Sequence, residues 1–370
     1  MKNTRMKLSV YSIVVTVGCM LLPTFAFTQQ MPQLDVVDQE GRTAHIMAAM
    51  PGGNAIMAEN NARSGTTSHS GTGVLIQEQG VGFSGTLTYH GGPVILKATT
   101  YAIFWVPPTL QNGTPTSMTS HYQTIQTNFL KDYPGHSIAN NNTQYFQGPP
   151  SFTLAYIQNA GSFGGSFVDT SAYPASGCSD SATPGGCLSD AQLRAEISKV
   201  MTLKGWTGGT SKVFFLFTSS GEGSCFSAGN CSYTQYCGYH SFFTNGSAQT
   251  VIYGNEPFGD ITHCQVNGAP SPNSDPAADA AANTLSHELT EAITDPLLNA
   301  WRGVDVSHEI GDLCNFYYGY PSWKAGTATE FWNNHFYLVQ TEYSNNLFNA
   351  NETINGVNGP AGCFNAGPEL

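Results

Sequence analysis

The chain has 370 residues, of which 40% are hydrophobic and 12% aromatic, enough apolar material for a folded globular protein with a sizeable core. It carries 25 acidic against 13 basic side chains, a net charge of −12 at neutral pH. Lys2, Arg5 and Lys7 lie in the first few residues, so the chain without them stands three charges lower, at about −15. Such a surface repels phosphate backbones and anionic lipid, which sets aside nucleic acid and the membrane surface as partners of the mature form.

In chain order, a basic start is followed by a largely apolar run over residues 8–27 and by Ala26-Phe27-Thr28. This reads as a signal peptide over residues 1–28, with an uncleaved amino-terminal anchor as the competing reading. Residues 29–80 are rich in Gly, Ala, Asn, Ser and Gln without a sustained period and read as a low-complexity linker or arm. The folded domain is expected over 81–370. Thr86 to His90, a Gly-Gly-Pro turn and Val94 to Val106 read as two strands, most simply a hairpin. Met118, Tyr122, Ile125 and Phe129 recur at helical spacing and predict a helix over 117–132. Ser151–Tyr156 reads as a strand. Ser189 and Gln192 form a capping box, and Leu193, Ile197, Val200 and Met201 stripe a helix that ends near Gly205. Lys212–Thr218 is a core strand, and a capped helix begins at Asp275-Pro276. The order suits an α+β fold, a single domain with one mixed sheet.

Eight cysteines follow Cys19, an even number that in an exported chain implies up to four disulfides. Cys178 and Cys187 flank a Gly/Pro/Ser loop and make the local bridge; Cys225, Cys231, Cys237, Cys264, Cys314 and Cys363 cannot be paired from their positions. The cysteine spacing does not match a zinc ribbon.

The chemistry concentrates in Leu285 to Pro296, where His287 and Glu291 project from one face of a helix and Glu288 stands beside it. That layout resembles the zincin helix, in which two ligands hold zinc and the intervening glutamate serves as general base, here with a carboxylate replacing the second imidazole. Glu309, 18 residues after Glu291, and Asp312 one turn later resemble the way glutamate-type zincins complete their site. The expected metal ligands are therefore His287, Glu291 and Glu309, with Glu288 catalytic and Asp312 behind the ligands, orienting His287. Zinc is the expected ion, another divalent metal the alternative. His308 is a second choice for the third ligand. His240 and His335 are expected to be ordinary hydrogen-bonded histidines, and a solvated charged helix face is the bland alternative for the whole motif.

Three segments, His287-Glu288-x-x-Glu291, Thr294-x-Pro296-x-x-Asn299-Ala300-Trp301 and Glu309-Ile310-x-Asp312-Leu313-Cys314, resemble the Exordium, or phosphate-induced protein, family. Tyr89-His90-Gly91-Gly92-Pro93-Val94, Tyr101-x-Ile103-x-Trp105 and Tyr236-Cys237-Gly238-Tyr239-His240 extend the resemblance over roughly residues 84–345. It implies a secreted, extracellular or cell-wall protein and attaches no firm reaction. The chain departs from the plant pattern at Asn315 to Tyr320, where a glycine-rich run is replaced by aromatic residues.

Together these readings predict a secreted protein, periplasmic in a Gram-negative host, that is disulfide-stabilised and zincin-like. Its expected function is metal-dependent hydrolysis, in the first instance as a zinc metallopeptidase that uses metal-activated water with Glu288 as base, on a peptide or a cell-wall polymer. The alternative is a non-catalytic extracellular Exordium-like protein with a structural metal site.

Overall fold

The computed structural model describes residues 34–49, 86–149, 153–265, 270–303, 308–319, 323–324, 326–354 and 357–364. The leader expected over 1–28 lies outside them. The described residues belong to one compact unit, Gln33–Leu370.

Its centre is a 7-stranded mixed sheet. In chain order the strands are β1 (Asp35–Val37), β2 (Thr43–Ala48), β3 (Ala98–Trp105), β4 (Gly161–Asp169), β5 (Lys212–Phe217), β6 (Tyr236–Thr244) and β7 (Thr250–Glu256). Across the sheet they run β1-β2-β6-β7-β5-β3-β4. The β1 to β7 half is antiparallel, and β7, β5, β3 and β4 are parallel neighbours. The strands β3 and β5 are continuous apolar runs because both faces of the sheet are covered. On one face Ala102, Phe104, Val213, Phe215 and Phe217 meet helices α1 (Ser120–Asp132) and α3 (Pro276–Thr294). On the other, Tyr101, Ile103, Phe214 and Leu216 meet Leu193, Ile197 and Val200 of helix α2 (Asp190–Lys204). The period of two along each strand thus divides the apolar residues between two cores.

The signals at helix ends are realised: α2 carries the Ser189/Gln192 capping box and ends at Gly205, which has φ +66°. The hairpin expected from Thr86 to Val106 does not form. Thr88–Tyr89 pairs instead with Trp301–Arg302, and β3 lies between β5 and β4. The Gly-Gly-Pro segment docks on the chain beyond α3: Gly92 donates its N–H to the Asn299 carbonyl at 2.8 Å. A Cβ on Gly92 would lie 1.9 Å from Asn299 Oδ1, so glycine serves close approach here, not a hairpin turn. The strand expected at Ser151–Tyr156 is reduced, in its described part, to Ala155–Tyr156. Strand β4 carries little sequence signal because GSFGGSFVD is an exposed edge rich in Gly and Ser, held by its ladder to β3.

The expected arm over 29–80 needs correction in its described part. Residues Asp35–Ala48 form the β1–β2 hairpin, which pairs with β6 and buries Val36, Ala44, Ile46 and Met47. The short apolar run Ala44 to Ala49 finds its partners in the sheet, far along the chain, which local composition does not register.

The expected Cys178–Cys187 bridge is present, and Cys225–Cys231, Cys237–Cys264 and Cys314–Cys363 complete four disulfides. Among the described residues no helix is long and apolar enough to cross a membrane.

Candidate metal centre

Helix α3 is built to be buried. The Asp275 side chain accepts the Ala278 N–H at 3.0 Å, Pro276 opens the first turn, and the alanines let the helix lie against the sheet. Strand β6 yields at Gly238, where a Cβ would stand 2.6 Å from Thr284 Cγ2 and 3.3 Å from Glu288 Cγ. The close approach brings His287, Glu288 and Glu291 under the sheet, all 0% exposed. The turn Glu309 to Cys314 reaches them from the far side. Asp312 Oδ2 accepts the Glu309 N–H at 2.8 Å, and the Cys314–Cys363 bridge fastens the end of the turn.

Three imidazoles and three carboxylates alternate in a closed ring. His287 Nε2 stands 3.0 Å from Glu291 Oε1, and Glu291 Oε2 stands 3.6 Å from His240 Nδ1. His240 Nε2 is 3.7 Å from Glu309 Oε2, and Glu309 Oε1 is 3.5 Å from His45 Nδ1. His45 Nε2 is 2.6 Å from Asp312 Oδ2, and Asp312 Oδ1 closes the ring 3.6 Å from His287 Nε2. The members come from β2, β6, α3 and the 309–314 turn.

Glu288 sits beside the ring, its Oε1 accepting the Met47 N–H at 3.3 Å and its Oε2 standing 3.3 Å from His240 Nδ1. Behind His287, Gln340 Nε2 lies 3.1 Å from Nδ1. The amide is fixed by the Phe316 N–H, which its oxygen accepts at 3.1 Å, and by the Gly311 carbonyl, 2.8 Å from its nitrogen. Held that way round it donates to Nδ1 and leaves the proton of a neutral ring on Nε2; ligation through Nε2 would require the amide to present its oxygen instead.

The charge balance of this enclosure is negative. Glu256, Asp295 and Glu342 are buried around the same ring, faced by the Arg302 guanidinium, whose Nε stands 3.4 Å from Asp295 and 3.7 Å from Glu309. Burial opposes charge on His240 and His287, but surrounding carboxylates, Glu309 first for His240 and Glu291 first for His287, outweigh it and hold each ring up at about 10. Burial likewise works against charge on His45, yet Glu309, Asp312 and Glu291 hold it well above its ordinary range. Against the same burial, His287, His45 and His240 keep Glu291 well below the usual carboxylate range. Desolvation pushes Glu256, Glu309 and Glu342 well above it.

The residues fit a divalent cation. His240 Nε2, His287 Nε2, both oxygens of Glu291 and Glu309, and Asp312 Oδ1 are buried without a hydrogen-bond partner. Although His287 Nε2 and Glu291 Oε1 are close, they are not aligned as a hydrogen bond, as befits two groups aimed at a third. Donor atoms of His45, Glu291 and Asp312 lie within 4.8 Å of one another, as do those of His240, Glu288 and Glu291.

The structure places every sequence-predicted site residue in this enclosure, but not as one triad. His287 meets Glu291, whereas Glu309 faces His45, His240 and Arg302. Asp312, expected behind the ligands, stands in the ring itself, and Gln340 takes the place behind His287. His240 proves to be a ring member, and His45 was hidden in the supposed arm; a histidine inside a short apolar run was its one sequence signal. His308 is buried next to Glu309 but belongs to neither donor group. His335 lies elsewhere, its Nδ1 2.6 Å from Asp132 Oδ2.

Comparison of the chain with protein-family models, with curated proteins and with solved structures returned no match.

Proposed function

We propose that the chain is a secreted, Exordium-like, metal-dependent hydrolase with a zincin-like helix, acting on peptide bonds. The carrying observation is the set of orphaned, fully buried donor atoms on His287 and Glu291, with Glu288 next to His287 on the same helix. His287 and Glu291 already stand together, and Glu309 would turn from His240 and Arg302 to join them around the ion, zinc by its taste for mixed nitrogen and oxygen ligands; when bound it would polarise a carbonyl and acidify water. Glu288 is the proton carrier. Burial raises its pKa, so it takes up a proton readily and can return it to a leaving group.

The second reading, a non-catalytic extracellular protein with a structural metal, is favoured by one observation: Glu288 is 0% exposed and both its oxygens face protein groups. Metal analysis of the purified mature protein, paired with a peptide-library digest, separates the two. Metal with cleavage, abolished in Glu288→Gln at unchanged metal content, supports the hydrolase. Metal without cleavage of peptides or wall polymer leaves the structural site, and absence of metal removes both.

A further inference from the structure

We propose that His45, delivered by the β1–β2 hairpin, is a ligand of the same metal ion, and that Asp35 is its positioning residue. The inference deepens the metal reading above and rests on it.

The donor atoms of His45, Glu291 and Asp312 converge within 4.8 Å of one another, close enough for a single ion to reach all three. Both Glu291 oxygens and Asp312 Oδ1 are buried without a hydrogen-bond partner, which leaves their lone pairs for a cation at the place where they converge. His45 is fully buried, with Nε2 2.6 Å from Asp312 Oδ2 and Nδ1 2.8 Å from Asp35 Oδ1, Glu309 Oε1 lying farther from Nδ1 at 3.5 Å. With its outer proton held by Asp35, which fixes the tautomer, the ring can give up the proton that Nε2 shares with Asp312 Oδ2, and an ion taking that proton's place would be bound by both atoms. Asp35 is itself held by Arg302 Nη2 at 2.5 Å, so the orienting carboxylate cannot swing away. His45 and Asp35 lie opposite each other in the hairpin register, so one pairing of β1 with β2 fixes both. The ion would then be held jointly by the amino-terminal hairpin, the motif helix and the 309–314 turn.

The test uses zinc(II) and the whole mature chain. Metal content after dialysis and affinity against a competing chelator are measured for the parent, His45→Ala, Asp35→Asn and His287→Ala, with circular dichroism as the check on folding. His45→Ala should lose at least tenfold in affinity, and Asp35→Asn, which keeps the ligand but not its orienting charge, about 10–100-fold. X-ray absorption on the zinc-loaded parent should show two imidazoles per zinc, a readout that stands even if His45→Ala fails to fold. One imidazole, or parental affinity in Asp35→Asn, overturns the proposal. Loss of zinc in His287→Ala with full zinc in a folded His45→Ala would overturn it while leaving the motif site intact. A parent that binds no zinc removes both readings together.

Discussion

A single methyl group placed at Gly311 should disable the metal centre while leaving the fold in place. Gly311 has φ −74° and ψ −38°, a conformation alanine adopts freely, so Gly311→Ala acts through contact alone. Its Cβ would lie 2.7 Å from Nδ1 and 2.8 Å from Cγ and Cε1 of His287. Ordinary contact begins near 3.5 Å, so the imidazole must retreat by about 0.8 Å. Metal sites tolerate ligand displacements of about 0.2 Å, so zinc(II) affinity should fall by about 10–100-fold. The overpacking itself should cost about 1–3 kcal/mol in stability. Chelator competition measures the first effect, and denaturant unfolding of the chelator-treated protein the second. Parental zinc affinity in Gly311→Ala, alongside the expected loss of stability, would show that His287 moves without consequence and is not a ligand.

Other consequences are equally direct. Alkylation of the native protein should label none of the eight cysteines after Cys19, and mass spectrometry should find the mature chain lacking about 28 residues; several reactive thiols would defeat the disulfide assignment. Cys363→Ala opens the bridge to Cys314 across a separation of 49 residues and should lower stability by about 4 kcal/mol by the loop-entropy argument. Because that bridge holds the turn carrying Asp312, zinc affinity should fall with it, and a fully stable variant with intact affinity would deny the turn its anchoring. Burial raises Glu330 to about 7, against Ser137 and Trp332 donors that lower it. The folded state therefore keeps the proton longer than the unfolded chain, and the associated stability is full below about pH 4.3 and lost as pH rises through about 7, by about 4 kcal/mol at most. Glu330→Gln should remove that slope; melting curves of parent and variant that stay parallel from pH 4.5 to 7 would refute it.

What could be read in advance was local. The Asp275-Pro276 start, the Ser189/Gln192 box and Gly205 fix helix ends through contacts within a few residues, and they reappear in the fold. The Cys178–Cys187 bridge, separated by 9 residues, belongs to the same class. His287, Glu288 and Glu291 were legible because a helical turn alone places them together. His45 was not: its contact with Asp312 spans 267 residues and depends on which edge of the sheet the amino-terminal hairpin joins. The role of Gly92 was misread for a related reason, since a glycine needed for close approach to Asn299 looks the same in sequence as one needed for a turn. Strand β4 escaped because its ladder to β3, rather than its own side chains, makes it a strand.

The ring draws on β2, β6, α3 and the 309–314 turn, so it exists only when the amino-terminal hairpin has docked on the sheet and that turn has closed on the helix. Occupancy by a metal ion would then act as a gauge of finished assembly. A chain cut anywhere between His45 and Asp312 and allowed to separate, or one whose hairpin had not yet docked, would present an incomplete set of donors. Were the chain exported before it folds, the ion would be gained outside, as the last component to arrive.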